Sequence, residues 1–210
     1  MNQDTAPIRI LAVDDHPVIL QGIAGLIAVE SDMKIVAEAA NGREALQQFR
    51  KHHPDVTLMD LQMPEMSGLD ATTAIRAEFP EARIIVLTTY AGDMQALRAL
   101  KAGARAYLLK SSLRRELLDT IRAVHAGKKS LSAEVSIQLA EHAAQEALTP
   151  LEVDVLRLIA EGKANKEIAV RLSLNEDAVK RQVRSILSKL DAGDRTHAVT
   201  IALRRGIIEL

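Results

Sequence analysis

The chain has 210 residues, room for one large or two small domains. Hydrophobic residues make up 48% of it and aromatics only 2%, so a core must be built from Leu, Ile, Val, Ala and Met; the absence of cysteine excludes a disulfide framework, a thiolate zinc site and a catalytic thiol. The net charge of −1 hides an asymmetry, because residues 148–210 carry 11 basic against 9 acidic residues and the remainder 16 against 19.

Residues 8–125 alternate strand and helix. Short apolar runs predict strands at Arg9–Val13, Ile35–Ala39, Val56–Asp60, Ile84–Thr88 and Ala106–Leu109. Helical segments follow them at Pro17–Glu30, Gly42–Lys51, Gly68–Glu78, Asp93–Ala102 and Leu113–His125, with Pro17 suited to a first turn and Gly103 and Gly127 to helix ends. Five such units with short connections predict an α/β domain, a five-stranded parallel doubly wound sheet of the flavodoxin type, over 1–126. Residues 127–147 read as a linker, with Ser132–Gln145 helical. From Leu148 the pattern is helical throughout, predicting a small all-α domain over 148–210. Thr149-Pro150-Leu151-Glu152 combines a capping box with proline at the first helical position, and that helix ends near Gly162. A second helix runs over Asn165–Leu172, the turn Ser173-Leu174-Asn175 leads into a third, and Arg195–Arg205 forms the last.

The strand ends carry the chemistry. Asp14-Asp15, Asp60, Thr88 and Lys110 each close an apolar run, and ligands bind at the carboxyl ends of parallel strands. Three carboxylates in one pocket suit a divalent cation such as Mg²⁺, and a lysine with a hydroxyl beside them suits a phosphoryl group. The remaining candidates, His16, His52, His53 and His125, read as surface residues with no metal-ligating spacing.

These motifs, namely Asp14-Asp15, Leu58-Met59-Asp60-Leu61-Gln62-Met63-Pro64 with Gly68, Leu87-Thr88 and Tyr107-Leu108-Leu109-Lys110, resemble the receiver domain of two-component response regulators. The resemblance implies that Asp60 accepts a phosphoryl group from a sensor histidine kinase. It implies that Asp14, Asp15, Asp60 and the backbone carbonyl of Gln62 hold Mg²⁺, Asp14 through water. Lys110 and Thr88 would bind the phosphoryl oxygens, and Tyr107 would act as the switch aromatic. Gln62 and Tyr90 would flank the approach of hydrolytic water. Ser111 follows Lys110 where many receivers carry proline; a cis bond there would cost about 3 kcal/mol, so trans is expected.

Residues 148–210 resemble the LuxR-type helix-turn-helix of the NarL/FixJ group. The carriers include Leu148–Glu152, Glu161-Gly162, Asn165–Ala169, Val179-Lys180, Lys189-Leu190 and Arg195–Val199. In the third helix Val179, Val183, Ile186, Leu187 and Leu190 form one apolar stripe. Lys180, Arg181, Arg184, Ser185 and Ser188 lie off it and, with Lys166, are the candidate contacts to double-stranded DNA. Ala178 and Gln182 depart from the Thr and His common in the family. Asp191 replaces a common Gly, its left-handed tendency suiting the turn. The apolar pattern Ala198, Val199, Ala202, Leu203 predicts a homodimer on phosphorylation, reading paired half-sites.

The expected function is therefore a phosphorylation-activated transcriptional regulator, not an enzyme beyond its own phosphorylation and dephosphorylation. Alternatives are a Mg²⁺-dependent phosphohydrolase with an Asp nucleophile, a regulator sensing an acyl ligand, and an atypical receiver independent of phosphorylation. The nucleophile after the third strand and the absence of a cap insertion oppose the hydrolase. No apolar run reaches membrane-spanning length and Met1–Pro7 lacks signal-peptide features, so a cytoplasmic protein is expected.

Overall fold

A computed structural model describes residues 6–89, 93–131 and 147–208. The helix expected over 132–145 and Tyr90 lie outside them. The chain forms two compact units.

The first unit is a parallel sheet of β1 (Ile8–Val13), β2 (Met33–Ala39), β3 (Val56–Asp60), β4 (Ile84–Thr88), β5 (Ala106–Leu109) and β6 (Ser130–Leu131), in the order β2-β1-β3-β4-β5-β6. The five expected strands are present. The sixth was not expected: Ser130 and Leu131, at the start of the stretch read as linker, pair with Ala106 and Tyr107, and the Ser130 amide donates to the Arg105 carbonyl at 3.0 Å. Two residues are too few to show a period. Strands β3, β4 and β5 are buried along their whole length, which is why they read as continuous apolar runs.

Helices α1 (Pro17–Ala28), α2 (Gly42–His52), α3 (Gly68–Glu78), α4 (Asp93–Lys101) and α5 (Leu113–His125) follow β1 to β5 in turn. Asn41 and Ser67 cap α2 and α3 by accepting the amides of Glu44 and Asp70. Ile23 and Ile27 of α1, and Leu117, Ile121 and Val124 of α5, pack on Ile10, Leu58, Ile85 and Leu108. The order reverses between β1 and β3, which lie side by side with Val13 opposite Met59. Asp14, Asp15 and Asp60 therefore leave adjacent strands at the position where such sheets bind ligands.

The second unit holds α6 (Pro150–Ala160), α7 (Asn165–Arg171), α8 (Glu176–Leu190) and α9 (Arg195–Arg204). The Thr149–Glu152 capping box is formed as expected. Ser173 takes a left-handed φ of 54° in the turn, and Asn175 caps α8 by accepting the Ala178 amide at 2.8 Å. Asp191 ends α8 in the left-handed region (φ 50°, ψ 44°), as its sequence position suggested. Val155, Leu156, Ile168, Val179, Ile186 and Leu190 form the core with Ala198 and Ala202.

Candidate functional site

The strand ends converge. Asp14 is fully buried and Asp60 nearly so, while Asp15 is partly open to solvent. Lys110 bridges the first two, its Nζ standing 2.7 Å from Asp14 Oδ2 and 3.0 Å from Asp60 Oδ1. Burial pushes the Asp60 carboxyl up; Lys110 pulls against that, and the charges of Asp14 and Asp15 add to the rise. Burial opposes the charge of Lys110, but Asp14 and Asp60 outweigh it and hold the ammonium protonated, above its ordinary range.

Gly68 sits against Asp60. A Cβ at that position would run into the Asp60 carbonyl oxygen, so only glycine lets the start of α3 close on the end of β3. The Gly68 amide donates to Leu61 O at 3.0 Å, pinning the intervening loop. Gln62 is exposed in that loop.

Thr88 and Tyr107 are brought together. Both are buried, Tyr107 completely. Burial pushes the phenol up to about 12, and its hydrogen bond with Thr88 offsets part of the rise. Lys110 opens a single 3₁₀ turn, Lys110–Ser112, in which Ser112 donates to Leu109 O at 3.1 Å. No cis peptide occurs among the described residues, in line with Ser111 after Lys110.

One neighbour was missed in the sequence. His16 is exposed, as expected, but its Nδ1 lies 2.7 Å from Asp15 Oδ1 and 3.3 Å from Asp14 Oδ1. Its place directly after the Asp pair was the available signal. Asp14, Asp15, His16 and Asp60 each offer a ligand atom within 4.8 Å of the others. Three carboxylates against one lysine leave excess negative charge in a largely buried space, and that donor set fits a divalent cation.

On the second unit Lys180, Arg181, Arg184 and Ser188 form an exposed row on α8, and Lys166 is exposed on α7. Lys180 is held from its own helix by Asp177 (3.3 Å) and Glu176 (3.6 Å). Ser185 does not belong to this row. Its hydroxyl donates to Glu152 Oε1 at 2.6 Å, so its place off the apolar stripe marks a buried polar contact. Glu152 is itself buried and accepts from Lys189 Nζ at 3.0 Å and from the Thr149 amide at 2.6 Å. The last-helix pattern is largely spent inside the unit: Ala198 and Ala202 are buried, and Val199 and Leu203 pack partly against the same core.

The model of the response regulator receiver domain matches residues 10–122, and that of the luxR family of bacterial regulatory proteins matches residues 146–202. The two together define a response regulator with a DNA-binding output domain. The chain belongs to the LuxR-family response regulators. It is 36% identical over 207 residues to the response regulator protein VraR of Staphylococcus aureus (strain Mu3 / ATCC 700698), covering 96% of this chain and 99% of that one. Among solved structures it is similar to the response regulator ChrA of a heme-sensing two-component system (32% identity, TM-score 0.58, covering 97% and 100% of the two chains). It is also similar to RcsB of Salmonella enterica serovar Typhimurium bound to a promoter with the phosphomimetic BeF3− (27% identity, TM-score 0.75, covering 92% and 97%). Among the described residues no helix is long and apolar enough to cross a membrane.

Proposed function

We propose that Asp60 is the phosphoryl acceptor and that its phosphorylation switches DNA binding by the second unit. The observation that carries this is the convergence of Asp14, Asp15 and Asp60 around Lys110 at the β1/β3 reversal. An Asp60 oxygen attacks phosphorus in a phosphohistidine of a sensor kinase; the P–O bond forms, the P–N bond breaks and the imidazole leaves. Mg²⁺ held by Asp15, Asp60 and the Gln62 carbonyl, with Asp14 acting through water, would neutralise charge on the transferring oxygens. Lys110 is placed to follow Asp60 onto a phosphoryl oxygen, and the Thr88 hydroxyl to take another. A Thr88 drawn toward the phosphoryl group loses its present bond with Tyr107, which couples the pocket to the buried aromatic.

The output is sequence-selective binding of double-stranded DNA by α8, with Lys166, Lys180, Arg181, Arg184 and Ser188 facing the duplex. The RcsB likeness, in one structure two dimers bound to two parallel DNAs (26% identity, TM-score 0.73), supports a homodimer on paired half-sites. The setting is the cytoplasm, and the boundaries 1–126, 127–147 and 148–210 remain our division of receiver, linker and DNA-binding domain, with β6 attaching the start of the linker to the sheet.

The test is phosphorylation by acetyl phosphate with Mg²⁺. One phosphoryl group per chain is expected on the wild type and none on Asp60→Ala. Uptake that persists in Asp60→Ala removes the assignment. Sizing and DNA binding of the phosphorylated protein then test the dimer, and equal affinity of a monomer for a single half-site would exclude it.

A further inference from the structure

We propose that His16 is a donor to the cation pocket, one that Mg²⁺ leaves unused and that borderline transition ions such as Co²⁺ and Ni²⁺ take up. The proposal rests on the reading of Asp14, Asp15 and Asp60 as that pocket.

The local sequence sets the ring in place. Pro17 opens α1, and a residue before proline is kept out of the helical region. His16 accordingly has extended backbone angles (φ −101°, ψ 107°) at the N-cap of α1, yet its side chain makes no capping hydrogen bond to the helix. Instead the His16 amide donates to Asp14 Oδ1 at 2.9 Å, and the ring turns to the same carboxylates. Its Nδ1 stands 2.7 Å from Asp15 Oδ1 and 3.3 Å from Asp14 Oδ1. Neighbouring ligands of an octahedral ion with bonds of about 2.1 Å are separated by roughly 3 Å, close to the separations of the imidazole nitrogen from the Asp15 and Asp14 oxygens. The ring is itself largely exposed to solvent.

The choice of ion follows from donor chemistry. Mg²⁺ prefers carboxylate, carbonyl and water oxygens, whereas imidazole suits the later first-row ions, whose affinity for mixed N/O sites also rises along the series. With His16 as the nitrogen donor, the pocket discriminates between these classes by one side chain that the phosphoryl chemistry itself does not require.

Untagged wild type, His16→Gln and Asp15→Asn are titrated calorimetrically with Mg²⁺ and with Co²⁺, and the histidine ring resonances are followed with Co²⁺. His16→Gln is expected to weaken Co²⁺ binding by about tenfold or more while Mg²⁺ affinity stays within about twofold. Asp15→Asn should weaken both ions, and the His16 ring should be the histidine most strongly broadened by Co²⁺. Unchanged Co²⁺ affinity in His16→Gln, or an equal loss for both ions, overturns the role of His16 and leaves the pocket standing. A wild type that binds no Mg²⁺ overturns the pocket and this proposal together.

Discussion

Lys110 holds its ammonium closer to Asp14 (2.7 Å) than to Asp60 (3.0 Å). The lysine is thus anchored on a residue that is not the proposed acceptor, and Asp14 keeps it in the pocket as charge on Asp60 changes. Its positive charge also competes with a bound cation for the same carboxylates. Lys110→Met should therefore bind Mg²⁺ more tightly, by about 1 kcal/mol or roughly fivefold, while phosphoryl uptake falls. Calorimetry and acetyl phosphate labelling measure the two effects, and weaker Mg²⁺ binding in this variant would contradict the charge argument.

Tyr107 supplies a pH signature. Burial raises its phenol from 10.0 to about 12, so the folded chain keeps a proton that the unfolded chain releases in that interval. Stability present below pH 10 is lost as pH rises toward about 12, by roughly 2–3 kcal/mol. Tyr107→Phe should cost about 1 kcal/mol at neutral pH through the lost hydrogen bond and should flatten this part of the alkaline decline. Denaturant midpoints of both proteins across pH 9–12.5, roughly the span that brackets the titration, give the difference.

Lys180 is drawn to Asp177, and next to Glu176, on its own helix, which raises its ammonium above the ordinary range. Both acids would also face a phosphate backbone. Asp177→Asn should tighten DNA binding, by about two- to fivefold at low salt, whereas Lys180→Ala should weaken it and lower the salt slope by about one. If Arg184 reads a base, Arg184→Ala should relax preference at one base pair by about 1–3 kcal/mol. Salt-dependent binding to operator and mismatched duplexes separates these outcomes.

Glu152 ties α6 to α8. Burial alone would push its carboxyl up, but the bonds from Ser185, the Thr149 amide and Lys189 outweigh this and hold it below its ordinary 4.5. Its contribution is present above that value and is lost as pH falls through the lower folded value. Glu152→Ala should destabilise the second unit by about 3 kcal/mol at neutral pH, and Glu152→Gln should remove part of its acid lability. Melting curves of the two variants between neutral pH and the acid limb test both statements.

The chemistry at the ends of β1, β3, β4 and β5 was legible from residue order, because a strand buried on both faces must be apolar until it reaches the pocket. Asp14, Asp60, Thr88 and Lys110 mark those ends, and the same logic of period and cap marked α6 to α9. The bond of Ser185 to Glu152 was not legible because helical period assigns a face but not a partner: it and Lys189 sit one turn apart beside the apolar stripe, and only packing of α6 on α8 brings Glu152 to them. Strand β6 exists only through its ladder with β5, which no local pattern encodes.

His16 and Gly68 show the same division at the pocket. Residue order placed His16 beside the Asp pair, but the extended backbone before Pro17 and the resulting turn of the ring decided that it faces the carboxylates. Gly68 was visible as a helix-start glycine, while the reason nothing larger fits, the Asp60 carbonyl pressed against it, required the end of β3 and the start of α3 to be seen together. Sequence by itself determined the described elements other than β6 and the polar residue types at the strand ends, since these follow from local propensity and burial period. Tertiary structure alone decided which polar groups meet, because hydrogen bonds and ion pairs act over a few ångströms between residues far apart in the chain.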